Sequence, residues 1–183
     1  PASVYDKEAP FADKEVLELT VPILGICYGM QYLTHIMGGT VSKAVDREYG
    51  NAVINIEDDN DLFHGFEKRG EEIVWMSHGD HIHELSDKYD IIAHTSNAHV
   101  AAVKHKEKPV FGVQFHPEVV HTQFGKEILQ NFTQKVCGLH GTWTTASFID
   151  IQVDHIRKIV GKDRVLCALS GGFHCRHSMS LNH

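Results

Sequence analysis

Apolar residues fall along this chain in short blocks, and the spacing inside each block predicts an element. Residues 21–26 (Val-Pro-Ile-Leu-Gly-Ile) are apolar without alternation, as in a strand buried on both faces. Apolar positions at Met30, Leu33, Thr34 and Met37 then follow a helical spacing that Gly38-Gly39 ends. Ahead of these, residues 1–12 read as a loop and 13–19 as a short helix capped by Asp13. Behind them, residues 41–44 read as a weak strand, Arg47-Glu-Tyr-Gly50 as a charged turn, and 52–56 as an alternating, half-buried strand. Glu57-Asp-Asp-Asn-Asp61 is a solvated acidic loop whose spacing fits no EF-hand.

Ile73-Val-Trp-Met76 predicts a further strand, and Ser77-His-Gly-Asp80 a polar loop at its end, where α/β folds gather ligand groups. Residues 89–95 and 99–104 read as antiparallel partners joined at Ser96-Asn97. The apolar run 110–115 leads directly into His116-Pro117-Glu118. Phe124, Ile128, Leu129, Phe132 and Val136 fall on one face of a helix over 122–136. A Gly/Thr linker follows at 138–147, then a second helical pattern (148–160), a strand (164–169) and Ser170-Gly171-Gly172. There is no internal repeat, and α/β units mixed with a hairpin predict an α/β sheet domain.

Composition narrows the class. A length of 183 residues suits one domain with a piece of a second, and 42% hydrophobic content is enough for a core. A formal charge of −7 and a pI near 6.1 give no electrostatic reason to expect nucleic acid or an anionic membrane as partner. No apolar run approaches the roughly 20 residues of a membrane span, and no basic-then-apolar leader opens the chain, so the cytoplasm is the expected compartment. Cys27, Cys137, Cys167 and Cys175 lack C-x-x-C spacing, which suits reduced thiols. Among the fifteen histidines, His35, His64, His94, His105 and His155 share no ligand spacing.

The candidate chemistry starts at Cys27, between the predicted strand and helix and flanked by Gly25 and Gly29, as in the Gly-x-Ser-x-Gly elbow of serine hydrolases. A helix N-terminus beneath the sulfur favours thiolate; the bland alternative is a buried structural cysteine. His116 and Glu118 supply a base and a group to orient it, because residues two apart in an extended segment share a side and Pro117 stiffens the turn between them. An imidazole paired with the sulfur can bring a thiol pKa to ~3–4. The alternative makes His116 a loop histidine and Glu118 a surface carboxylate. His78, His81 and His83 could instead form a metal cluster, but the spacing is loose and no cysteine lies close in sequence.

GICYGMQ (25–31), WMSHGD (75–80), GVQFHPE (112–118) and T-x-x-G-K-x-I-L-x-N-F (122–132) together resemble the class I, triad-type glutamine amidotransferase domain. With Arg47-Glu-Tyr-Gly50, the wording is similar to the GMP synthetase branch of that family, from Pro1 to about Leu169. The resemblance implies a flavodoxin-like sheet and L-glutamine as substrate. It makes Cys27 the nucleophile, His116 the base and then acid, and Glu118 the orienting carboxylate. The Tyr28 N–H becomes an oxyanion donor, Gln31 a substrate contact, and Ser77 with the backbone at Gly79 and Asp80 the holders of the α-amino and α-carboxylate groups. The motif requires His78, to which sequence alone assigns no role.

Two departures from the family pattern stand out. The chain begins at the proline of a Gly-Gly-Pro turn that supplies the second oxyanion donor, so about the first third of the domain is expected to be missing. That leaves the strand at 21–26 short of neighbours. Unpaired backbone groups cost ~1–3 kcal/mol each when buried, against ~5–15 kcal/mol of total stability, which predicts a fragment that fails to fold alone. At the other end, residues 148–172 resemble the start of an ATP pyrophosphatase domain. Ser170, Gly171 and Gly172 are then the remnant of its pyrophosphate loop, but His174 and Cys175 stand at the family's aspartate and serine positions.

A divergent tail at 173–183 fits an altered reading frame. The organisation is thus a partial amidotransferase domain at 1–138, a linker at 139–147 and the pyrophosphatase start. By the same resemblance, ATP and magnesium are expected in the complete enzyme and no cofactor in this chain, with glutamine and the missing synthetase domain as partners. The alternatives are a catalytically silent fragment or binding subunit, and the amidotransferase domain of a synthase making carbamoyl phosphate or anthranilate.

Overall fold

A computed structural model of the chain describes residues 3–66, 71–141 and 145–163. It divides into two compact units, Pro1–His140 and Gly141–His183. The first holds β1 (Ile23–Ile26), α1 (Tyr28–Ile36), β2 (Thr40–Ile56), β3 (Glu72–Glu84), β4 (Tyr89–Thr95), β5 (Ala102–His105), β6 (Val110–Val113) and α2 (Gly125–Gln130). The six strands form one sheet in the order β1-β6-β5-β4-β2-β3. Among the described residues only β1 and β6 run parallel and the other pairings are antiparallel, so the expected α/β domain is a mixed sheet with one parallel pair at its edge.

Alternation along β6 divides the core. Val110 packs with Met30 and Leu33 of α1, together with Ile82, Tyr89, Val100 and Val103. Phe111 and Val113 enter the opposite cluster with Leu62, Phe63, Phe66, Phe115 and Ile128. Two-residue side-chain periodicity accounts for this split, with one layer under α1 and one under α2. Residues 3–19 strap the outer face of α1: the Tyr28 hydroxyl donates to the Pro10 carbonyl at 2.6 Å and the Tyr32 hydroxyl to that of Ala12. The short helix in this strap is a 3-10 turn, Lys14–Glu18, whose Asp13 cap accepts from the Glu15 N–H.

Three elements depart from the sequence reading. The charged turn at 47–50 is absent, because β2 runs unbroken for 17 residues. Its pairing with β3 jumps from Lys43↔Asp80 to Glu48↔His78, so the extra residues 44–47 bulge opposite Gly79. The loop at 77–80 is likewise strand, since β3 continues to Glu84 with Met76 and His78 buried and Ser77 and Gly79 half-buried. The single helix expected over 122–136 is α2 followed by a π-helix at Asn131–Val136, where the Thr133 hydroxyl bonds the Leu129 and Gln130 carbonyls. Thr122 lies before the helix.

Although β1 and β3 stand at opposite ends of the strand order, backbone carbonyls of β3 accept hydrogen bonds from α1 and from the segment after β6. The long β2–β3 hairpin therefore curls back over the C-terminal ends of β1 and β6. The outer edge of β1 pairs with no strand among the described residues.

In the second unit α3 (Thr145–Val160) begins inside the expected linker at 139–147, and Gly161 at φ +56° follows it. The strand expected at 164–169, the Ser170-Gly171-Gly172 loop and the tail lie outside the described residues, as does Pro1. No helix among the described residues is long and apolar enough to cross a membrane.

Candidate active site

β1 delivers Cys27 to the first turn of α1 with φ +50° and ψ −105°. A side chain in that backbone region costs of order 1–3 kcal/mol, and surrounding contacts must hold it there. The Cys27 N–H donates to the Val113 carbonyl at 2.7 Å, extending the β1–β6 ladder one residue past the strand. Gly25 makes the elbow possible: a Cβ there would stand 2.7 Å from the Gly29 carbonyl carbon, so α1 sits directly on β1. Gly29 supplies that close backbone itself, and its own Cβ position is open.

Cys27 is 7% exposed. Its thiol donates to the Ser77 carbonyl at 3.9 Å, and Gln114 Nε2 donates to the sulfur at 3.7 Å. Burial pushes the thiol pKa up. The Tyr28 N–H and Gln114 amide oppose that shift, while the Glu118 charge adds to it. The expected drop toward thiolate is therefore reversed in the resting site: desolvation outweighs the helix N-terminus, and no hydrogen bond joins the sulfur to His116.

Beyond β6, His116 Nδ1 lies 2.6 Å from Glu118 Oε1. The turn that carries them is tied to β3: the His116 N–H donates to the Trp75 carbonyl, and the Thr122 hydroxyl donates to the His116 carbonyl while accepting from the Trp75 N–H. Gly125 permits the turn to lie against α2, since a Cβ there would be 1.9 Å from the Pro117 carbonyl oxygen.

His78, without a role in the sequence reading, is 2% exposed. Its Nδ1 hydrogen-bonds the Asp80 carbonyl at 2.9 Å, and its Nε2 lies 3.2 Å from Glu48 Oε2, close enough for an ion pair but off hydrogen-bond angle. Burial lowers the His78 pKa, with Asp80 and Glu48 pulling the other way. The Asp80 carbonyl also accepts from Gln31 Nε2 at 2.9 Å, and that amide further donates to Gln114 Oε1 at 3.2 Å. Gln31 is thus buried and bonded to protein, and Gly79 sits at the bulge.

His81 faces Ser42 rather than His78, and no group of three or more His, Cys, Asp or Glu suited to a metal occurs among the described residues. Gln114 and Glu48 escaped assignment from sequence. The available signals were a polar residue between Val113 and Phe115 in an apolar run, and a buried histidine needing a charge partner.

Several comparisons bear on this arrangement. The family model for glutamine amidotransferase class-I matches residues 1–136. The GMP synthase (glutamine-hydrolyzing) of Caldicellulosiruptor saccharolyticus is 50% identical over 172 residues, 94% of this chain and 33% of that protein. The one from Acetivibrio thermocellus is 52% identical over the same shares. The chain spans about a third of the length of these curated relatives. Among solved structures, a GMP synthase subunit of Thermoplasma acidophilum has 34% identity and a TM-score of 0.63, covering 76% of this chain and 65% of that one. A glutamine amidotransferase from Thermotoga maritima shares the fold at a TM-score of 0.51, with 22% identity over 78% of this chain and 54% of that one.

Proposed function

This chain belongs to the class I glutamine amidotransferase family, and from that premise we propose that it hydrolyses L-glutamine with Cys27, His116 and Glu118, supplying ammonia to a synthetase that aminates xanthosine monophosphate to GMP. The observation that carries the reading is the His116–Glu118 pair, 2.6 Å apart, whose carboxylate acts electrostatically on a cysteine held at φ +50° on the β1–α1 elbow.

In this reading the thiol proton passes to His116 Nε2 while Glu118 holds Nδ1–H and stabilises the imidazolium. The sulfur adds to the side-chain amide carbon of glutamine, and the Tyr28 N–H donates to the oxyanion. Collapse breaks the C–N bond; the imidazolium protonates the departing nitrogen, and ammonia and a γ-glutamyl thioester result. Water, deprotonated by His116, then releases glutamate and restores the thiol. The sulfur must turn from the Ser77 carbonyl toward the imidazole, a tightening that resting sites commonly undergo on binding substrate.

Ser77 with the backbone at Gly79 and Asp80 hold the α-substituents of glutamine in this proposal. Gln31 acts from beneath, since its amide is already bonded to Asp80 and Gln114. The step takes no cofactor. ATP and magnesium enter at the synthetase's amination, and the loop at Ser170, Gly171 and Gly172 lies outside the described residues.

A second reading, a catalytically silent binding subunit, is favoured by one observation, the missing hydrogen bond between sulfur and imidazole. Glutamate release measured against Cys27→Ala separates the two. Release above the variant supports the glutaminase; release equal to it leaves the silent reading.

A further inference from the structure

We propose that Gln114 is a further catalytic residue of this site, its side-chain amide donating to the Cys27 sulfur and stabilising the thiolate once the proton has left. The inference rests on Cys27 being the nucleophile.

The geometry fixes which end of the amide meets the sulfur. Gln114 Oε1 accepts from Gln31 Nε2 at 3.2 Å, so the nitrogen is the end turned to Sγ, at 3.7 Å. Gln31 is itself anchored on the Asp80 carbonyl, which also meets His78, and His78 backs onto Glu48. A continuous line of contacts thus runs from a partly buried carboxylate on β2, through β3 and α1, to the amide beside the sulfur. The Gln114 N–H donates to the Ala101 carbonyl at 2.8 Å, which fixes the backbone below it.

Gln114 is 1% exposed, and its side chain turns to Gln31 and Cys27, away from the cluster that takes Val113 and Phe115. An amide buried there needs partners, and a neutral thiol is a weak acceptor. A thiolate is a strong one. The amide therefore gains most when the sulfur is ionised, which is the differential interaction that accelerates a reaction rather than merely filling a core. The charged side chain that acts on the sulfur is Glu118, from the turn before α2, with His116 held on it; His78 on β3 and Glu48 on β2 join the line of contacts through the Asp80 carbonyl. Gln114 is the side-chain donor that, with the Tyr28 N–H, opposes both burial and the Glu118 charge.

The test is the rate of Cys27 alkylation by iodoacetamide as a function of pH, read at the Cys27 peptide by mass spectrometry, with Cys137 as the internal reference. Gln114→Met keeps length and volume without the donor, and Gln114→Leu removes it in a branched form. Each is expected to slow Cys27 about tenfold at pH 8 and to move the midpoint up by about one unit, with Cys137 unchanged. Unchanged or faster labelling of Cys27 in both variants overturns the proposal. The readout needs no turnover, so a chain that releases no glutamate still reports on Gln114, and the two readings fail separately.

Discussion

Replacing Gly125 by alanine tests the placement of the His116–Glu118 pair without touching either partner. The new Cβ would stand 1.9 Å from the Pro117 carbonyl oxygen and 2.7 Å from its carbon, where ordinary contact begins near 3.4 Å, so the two segments must part by about 1.5 Å. Both sides of the clash are backbone, and no rotamer change relieves it. The Gly125 N–H bonds the Thr122 carbonyl, and the Thr122 hydroxyl links His116 to Trp75, so the shift enters the turn that aims the imidazole.

Overpacking of this kind costs about 1–3 kcal/mol, or roughly 3–12 °C in Tm for a unit of this size. Misplacing a base by about 1 Å costs on the order of 10²-fold in rate. Near-UV circular dichroism melts and glutamate release measure both. Gly29→Ala is the fold control: its Cβ meets nothing within 4 Å, and alanine in a helix is favoured by about 1 kcal/mol, so its Tm should equal or exceed that of the unaltered chain. Against the sequence expectation of a fragment that fails to fold alone, the unaltered chain is expected to melt cooperatively, although no described strand pairs with the outer edge of β1. Ile23, Leu24 and Ile26 are only half-buried, so water reaches groups that full burial would strand. A Gly125→Ala protein that melts and turns over like the original would refute the claim that this close approach positions the pair.

Glu118→Gln should lower kcat for glutamine hydrolysis by about 10²-fold or more with little change in KM, because the carboxylate acts on the imidazole and not on the substrate; a kcat at the original value removes Glu118 from the mechanism. Burial pushes the Tyr89 phenol up to about 12 from its ordinary 10, so its contribution to stability is complete below pH 10 and lost between pH 10 and about 12 as the unfolded chain releases a proton that the fold retains. Absorbance at 295 nm should show one of the five tyrosines ionising only as the near-UV dichroism collapses; all five ionising near pH 10 in a folded chain would contradict the burial.

The elbow and the His116-Pro117-Glu118 turn were legible because their chemistry is local. A strand, a Gly-flanked cysteine and a helical repeat are contiguous, and Glu118 reaches His116 from two residues away. Residues 77–80 were not, because their polarity hides a period of two: Met76 and His78 point inward along β3 while Ser77 and Gly79 lie half-buried. What makes a buried histidine tolerable is Glu48, thirty residues earlier, and no window of sequence joins them. The bulge at 44–47 is equally nonlocal, since it exists only relative to the register of β3. Thr122 reads as the first residue of an amphipathic helix, yet its hydroxyl serves two backbone groups, one of them on Trp75 of β3, 47 residues away.

The poise of the thiol shows why the local signals misjudged the chemistry. A helix N-terminus and a neighbouring histidine both argue for thiolate, but each is a fraction of a charge or a conditional one, whereas desolvation of a sulfur that is 7% exposed acts on the ionised form at full strength. In the proposed reaction such a site keeps its cysteine protonated against the Ser77 carbonyl and ionises it only when the imidazole is in reach to take the proton. The Cys27 backbone is held between Val113 and the first turn of α1, so the proposal assigns the movement to rotation of the side chain. In that proposal, donors fixed in place beforehand, the Tyr28 N–H and the Gln114 amide, meet the charge as it forms, which is where their interaction lowers a barrier instead of a resting energy.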